Sequence, residues 1–109
     1  ETLELNNGEK WKVDAPMLIH IRTMENDIIS FLKEDPKNYA VLSKKLLVNI
    51  DSLTSNCTMK GKAHDELHKW LLPYIDLAKE LSEAKDETEA AKQFENIQTS
   101  FTTFNQYFQ

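Results

Sequence analysis

Cys57, Met59, His64 and His68 put a thiol, a thioether and two imidazoles within twelve positions of one another. Thiolate, thioether and imidazole together suit monovalent copper, Cu(I), whereas a Cys and His set without the Met suits Zn. His64 and His68 are four apart, so on a helix they share a face with Cβ atoms about 5–6 Å apart, a spacing that lets two rings grip one ion. Cys57 is the only cysteine, so no internal disulfide can claim it.

The rest of the chain must supply the elements that hold these residues. With 109 residues, two Gly and three Pro, 40% hydrophobic and 28% charged, the composition fits one domain (1–109) built from a few long helices. Residues 1–14 show apolar alternation, Leu3 and Leu5 then Trp11 and Val13, around Asn6-Asn7-Gly8. That pattern predicts a short β-hairpin, or an extended arm, lying over one end of the core. Helical spacing from Met17 to Leu32 predicts a first helix over about 15–34. Asp35-Pro36 then reads as a cap and first turn for a second helix over 36–57. In that helix Tyr39, Leu42, Leu46, Ile50, Leu53 and Cys57 form one stripe, so the thiol is expected to face the core. Lys60-Gly61-Lys62 breaks the pattern before a third helix over 62–85, with a kink expected at Pro73. Asp86 and Glu89 make a capping box for a fourth helix, 86–108, whose Phe94, Ile97, Phe101, Phe104 and Phe108 repeat as a heptad seam.

Four such helices joined by short turns predict an all-α, antiparallel up-down-up-down four-helix bundle. In that topology the start of the first helix, the end of the second and the start of the third share one end. His20 therefore joins Cys57, Met59, His64 and His68 as a candidate ligand. Two readings stay open. One is a soft-metal site for Cu(I) or Zn at this end of the bundle. The other is a noncatalytic structural or protein-interaction module with no metal, in which Cys57 is a small core residue and Asp65 and Glu66 merely support the start of the helix. Val41 and Val48, seven apart and off the core stripe, are the apolar hint of a partner on the second helix, as a monomer or weak dimer.

The net charge of −5 argues against duplex nucleic acid or an anionic membrane surface as partner. No apolar run reaches the roughly 20 residues of a membrane span. The chain starts at Glu1, and a periplasmic or otherwise exported location is the expectation, with the cytoplasm as its alternative.

Leu5-Asn-Asn-Gly-Glu-Lys-Trp11-Lys-Val13, followed by Cys57-Thr-Met-Lys-Gly-Lys-Ala-His64-Asp-Glu-Leu-His68-Lys-Trp70-Leu-Leu-Pro73, resembles an uncharacterised family of exported small helical-bundle proteins from Bacteroidetes-type bacteria. The resemblance spans most of the chain. It implies an exported four-helix protein connected with metals, and no reaction. By shape the pattern is also similar to the periplasmic haem-binding four-helix cytochromes, which use an axial His on the last helix. Residues 86–109 contain no His and the chain has no Cys-x-x-Cys-His, so haem is not expected. His64-Asp-Glu-Leu-His68 is similar to the zinc-peptidase motif, but Asp65 occupies the position of the glutamate base. No phosphate loop, nucleophile elbow or carboxylate pair in an apolar pocket supports another catalytic class, and no enzyme is expected.

Overall fold

Met17, Ile21, Met24, Ile28 and Phe31 step by four, three, four and three, and all five are buried on one face of the first helix. The same rule builds the other three helices in the computed structural model, which describes residues 2–55, 57 and 59–109. The protein is all-helical, with α1 (Ala15–Phe31), α2 (Tyr39–Ser55), α3 (Gly61–Ser82) and α4 (Glu87–Tyr107). Each helix packs on the next in sequence. Glu1, Asn56 and Thr58 lie outside the described residues, and with them the stretch over which α2 was expected to reach Cys57.

Aromatic rings fill the core. Trp70 stacks on Tyr74 at 4.9 Å and lies 4.9 Å from Phe104, while its indole N–H donates to the Ser100 carbonyl at 2.8 Å. The Tyr74 hydroxyl, on a fully buried residue, donates to the Met24 sulfur at 3.3 Å. Burial, and secondarily the Asp27 carboxylate, push the Tyr74 phenol far above its ordinary range and keep it protonated as a donor. Pro73 sits within α3, and the helix runs on both sides of it.

Several helix boundaries differ from the sequence expectation, among them the end of α3 at Ser82 rather than 85, and two of them meet at one corner. The first helix stops at Phe31 rather than Glu34. There the Lys37 ammonium donates to the carbonyls of Phe31, Leu32 and Glu34 at 3.0, 3.0 and 3.2 Å, satisfying acceptors that another helical turn would have used. The second helix starts at Tyr39 rather than Pro36. The Asn38 side-chain oxygen accepts from the Val41 amide at 3.2 Å, so Asn38 and not Asp35 is its N-cap. At α4, Asp86 accepts from the Glu89 amide at 2.8 Å.

The N-terminal arm turns at Asn7 and Gly8, both with positive φ (51° and 86°), and Asn6 and Glu9 exchange two backbone bonds of 2.8 and 3.0 Å. Asn and Gly tolerate this left-handed backbone, as a two-residue turn requires. No strand forms among the described residues, and the hairpin does not extend beyond that one pair. Beyond Glu9 the arm finds a different partner. Trp11 N donates to Tyr107 O, Val13 N to Gln109 O and Gln109 N to Trp11 O, each at 2.9 Å, so the arm runs parallel to the last residues of the chain. Trp11 and Val13 are buried there, while Leu5 stays exposed.

Candidate functional site

Between α2 and α3 the chain must reverse, and Gly61 permits it. Its φ of +78° is open to glycine and strained for other residues, and it follows an extended Lys60. The reversal lays Cys57 against the first turn of α3. Cys57 Sγ lies 3.7 Å from His64 Nδ1, and the same nitrogen lies 3.0 Å from the Met59 carbonyl oxygen. A carbonyl only accepts, so in the neutral ring that contact holds the proton on Nδ1 and leaves Nε2 with its lone pair. One turn later the His68 ring packs on His64 with centroids 4.1 Å apart and planes 34° apart. His68 also borders a depression of about 250 Å³ whose walls, including Asp65, Leu72 and Pro73, all belong to α3.

Of the five expected ligands, Cys57 meets His64 and His64 meets His68. The other two do not bring a donor atom to them. Met59 is buried in the hydrophobic core and meets His64 through its carbonyl oxygen. His20 Nδ1 is 3.2 Å from Asn49 Oδ1, and Asn49 lies six residues before the end of α2, about 9 Å along the axis. Its partner is α2, not the corner. Cys57 also corrects an expectation: its thiol does not face the core, and the residue is exposed. Among the described residues no three of the His, Cys, Asp and Glu side chains converge closely enough to hold an ion as they stand.

Glu66 was assigned only to the helix start, and the structure gives it another task. Its side chain is buried, with the residue 4% exposed. One carboxylate oxygen accepts from the Glu4 amide at 2.9 Å, and the other pairs with the Lys69 ammonium at 2.7 Å. The Trp11 indole N–H in turn donates to the Glu4 carbonyl at 2.7 Å. The Lys69 hydrogen bond, with help from Glu4 N and Lys62 and against the cost of burial, holds the Glu66 carboxyl below its ordinary 4.5. The sequence does contain the signal: Glu66 falls on the inward stripe with Ala63, Trp70 and Tyr74, and Lys69 follows three residues later, within reach on a helix.

No helix among the described residues is long and apolar enough to cross a membrane. No protein-family model, curated protein or solved structure matches this chain.

Proposed function

We propose that the corner formed by Cys57, His64 and His68 binds a soft monovalent cation, Cu(I), and that the protein is a metal-binding carrier or buffer rather than an enzyme. The observation that carries this reading is the 3.7 Å between Cys57 Sγ and His64 Nδ1. With metal–sulfur and metal–nitrogen bonds of about 2.3 and 2.0–2.1 Å, two atoms that far apart subtend roughly 115° at a shared ion, between the tetrahedral and trigonal values. Binding through Nδ1 requires that nitrogen to give up its proton and its contact with the Met59 carbonyl. His68 becomes a third ligand by turning out of its stacked pose. Two or three soft donors suit Cu(I) better than Zn, whose structural sites take four ligands.

The pairing of side chains supports an antiparallel up-down-up-down order for the helices: Phe31 meets Tyr39, His20 meets Asn49, Trp70 meets Phe101, and Arg22 meets Asn105. Export belongs to the same proposal and rests on the family resemblance.

Titration with Cu(I) against a competing chelator tests the metal reading. Binding tighter than about 10 μM, roughly 7 kcal/mol, is expected, and should be lost in Cys57→Ser and weakened in His64→Ala. Weaker binding, or binding indifferent to Cys57→Ser, sinks it. A second reading, a noncatalytic interaction module, is favoured by Val41 and Val48, which are 49% and 58% exposed and line a depression of about 340 Å³ beside Lys44 and Lys45.

A further inference from the structure

The corner between α2 and α3 offers a Cu(I) ion few donors, and the distance between two of them shows which geometry they are set for. An ion held by two ligands alone draws them into line, which would put Cys57 Sγ and His64 Nδ1 about 4.3 Å apart with bonds of about 2.3 and 2.0 Å. They lie 3.7 Å apart. That bend leaves one side of the ion open, as in a trigonal centre before its third ligand arrives. Little within the chain reaches that side. Met59 is buried in the core, and His20 bonds Asn49. His68 has to leave its stack on His64, where the centroids are 4.1 Å apart, in order to coordinate. Cys57 is exposed, so an ion at its sulfur also faces solvent.

We propose, resting on the reading of this corner as a Cu(I) site, that the bound ion takes its third ligand from a second molecule, the thiolate of a small carboxylate-bearing thiol. A thiolate is softer than an imidazole, so it displaces His68 from the third position. The thiol gives its proton to solvent, a Cu–S bond forms as the Cu–N bond to His68 breaks, and copper stays monovalent. His68 then restacks on His64. Charge selects the carboxylates. Lys60 in the connection and Lys62 in the first turn of α3 are both exposed, at the positive end of that helix. The acids of the same turn face elsewhere: Asp65 borders the α3 depression beside His68, and Glu66 is turned inward to Glu4 and Lys69. An incoming anion therefore meets two ammonium groups, which its carboxylates can pair with while its sulfur binds copper.

Native mass spectrometry of the Cu(I)-loaded chain, with reduced glutathione as the probe thiol, counts the partners, and X-ray absorption at the copper edge counts the sulfur ligands. One glutathione per copper-loaded chain is expected, with sulfur coordination rising from one to two. Glutathione diethyl ester, which has the same thiol and no free carboxylate, should bind at least about threefold more weakly. Glutathione itself should lose a similar factor on Lys60→Gln with Lys62→Gln, a variant that keeps Cu(I) binding in the absence of thiol. His68→Ala should weaken Cu(I) binding without glutathione and leave the adduct intact in its presence. A chain that takes up no Cu(I) overturns both the site and this inference. A chain that binds Cu(I) tightly but keeps a single sulfur ligand in millimolar glutathione, loses its copper to that thiol, or gains a second sulfur only by forming a copper-bridged pair of chains overturns this inference alone. So does an adduct indifferent to both the ester and the lysine variant.

Discussion

The two connections that flank α2 are built to opposite ends. Residues 32–38 form a closed corner. Lys37 occupies three carbonyls of the preceding turn and lies over the Phe31 ring at 5.3 Å, Asn38 caps the next helix, and Tyr39 packs on Phe31 and Phe94 with centroids 5.1 and 6.2 Å away. Phe31 and Phe94 meet at 5.2 Å to complete the cluster. The connection into α3 instead has an exposed thiol, a stacked pair of imidazoles, and an N-cap, Lys60, whose side chain makes no capping bond. In the first corner the side chains of Lys37 and Asn38 are used up by the fold. In the second, donors that could bind something else are presented at the surface, and that difference separates a structural turn from a candidate site.

The comparison is most easily broken with Phe94→Ala, which opens a cavity beneath the closed corner. It should cost about 3–5 kcal/mol in urea unfolding, whereas Cys57→Ser at the open corner should cost less than about 0.5 kcal/mol. Similar losses at both sites would show that the corners are not different in kind.

A smaller effect is expected at Glu66, which ties the arm to α3. Glu66→Ala strands the Glu4 amide and removes the ion pair with Lys69, and should cost about 2 kcal/mol, with hydrogen exchange accelerating at Trp11 and Gln109 before the helices open. The pH dependence follows from the sign of the shift. The folded carboxyl titrates below 4.5, so its stabilisation is complete above the unfolded value and is lost as pH falls through the lower, folded one. Acid should therefore loosen the arm below about pH 4.5. Glu66→Gln should remove that step, and an identical acid profile in this variant would refute the assignment. The smallest change is Lys37→Met, which deprives three carbonyls of their donor. It should cost about 1 kcal/mol and fray the end of α1 in amide exchange, leaving the Cys57 corner untouched.

The four helices were legible because each repeats one physical demand, an apolar residue every three or four positions; in α4 the spacing of Phe94, Ile97, Phe101 and Phe104 alone nearly fixes the buried face. Ends were harder. Asp35-Pro36 has the chemistry of a helix start, but a cap is decided by which side chain reaches an orphan amide, and Asn38 does. Periodicity likewise carried the stripe on to Cys57, although a helix stops where its backbone must turn, not where its pattern ends. The partner of the arm was hidden for a third reason: alternation around Asn7-Gly8 marks a turn, but says nothing of a partner nearly a hundred residues away. Glu66 was legible in principle, since a carboxylate on an apolar stripe requires a buried partner. Of the candidate ligands, the nearness of Cys57, His64 and His68 could be read from local spacing. Placing His20 with them needed a helix register, and its ring went to Asn49 instead.

The parallel run of Trp11–Val13 beside Tyr107–Gln109 also sets how the molecule would answer a mechanical pull. Drawn apart by its two ends, the chain would first pull Glu4 from Glu66 and Trp11 and then peel open the small turn at Asn7-Gly8, whose paired bonds are loaded one after another. Tension would then reach two segments that point the same way and are tugged in opposite directions. Their three 2.9 Å backbone bonds lie across the line of force and must yield together. A helical protein, ordinarily soft to stretching, thus carries a shear clamp at its ends, and single-molecule extension should show one distinct rupture before the helices unravel.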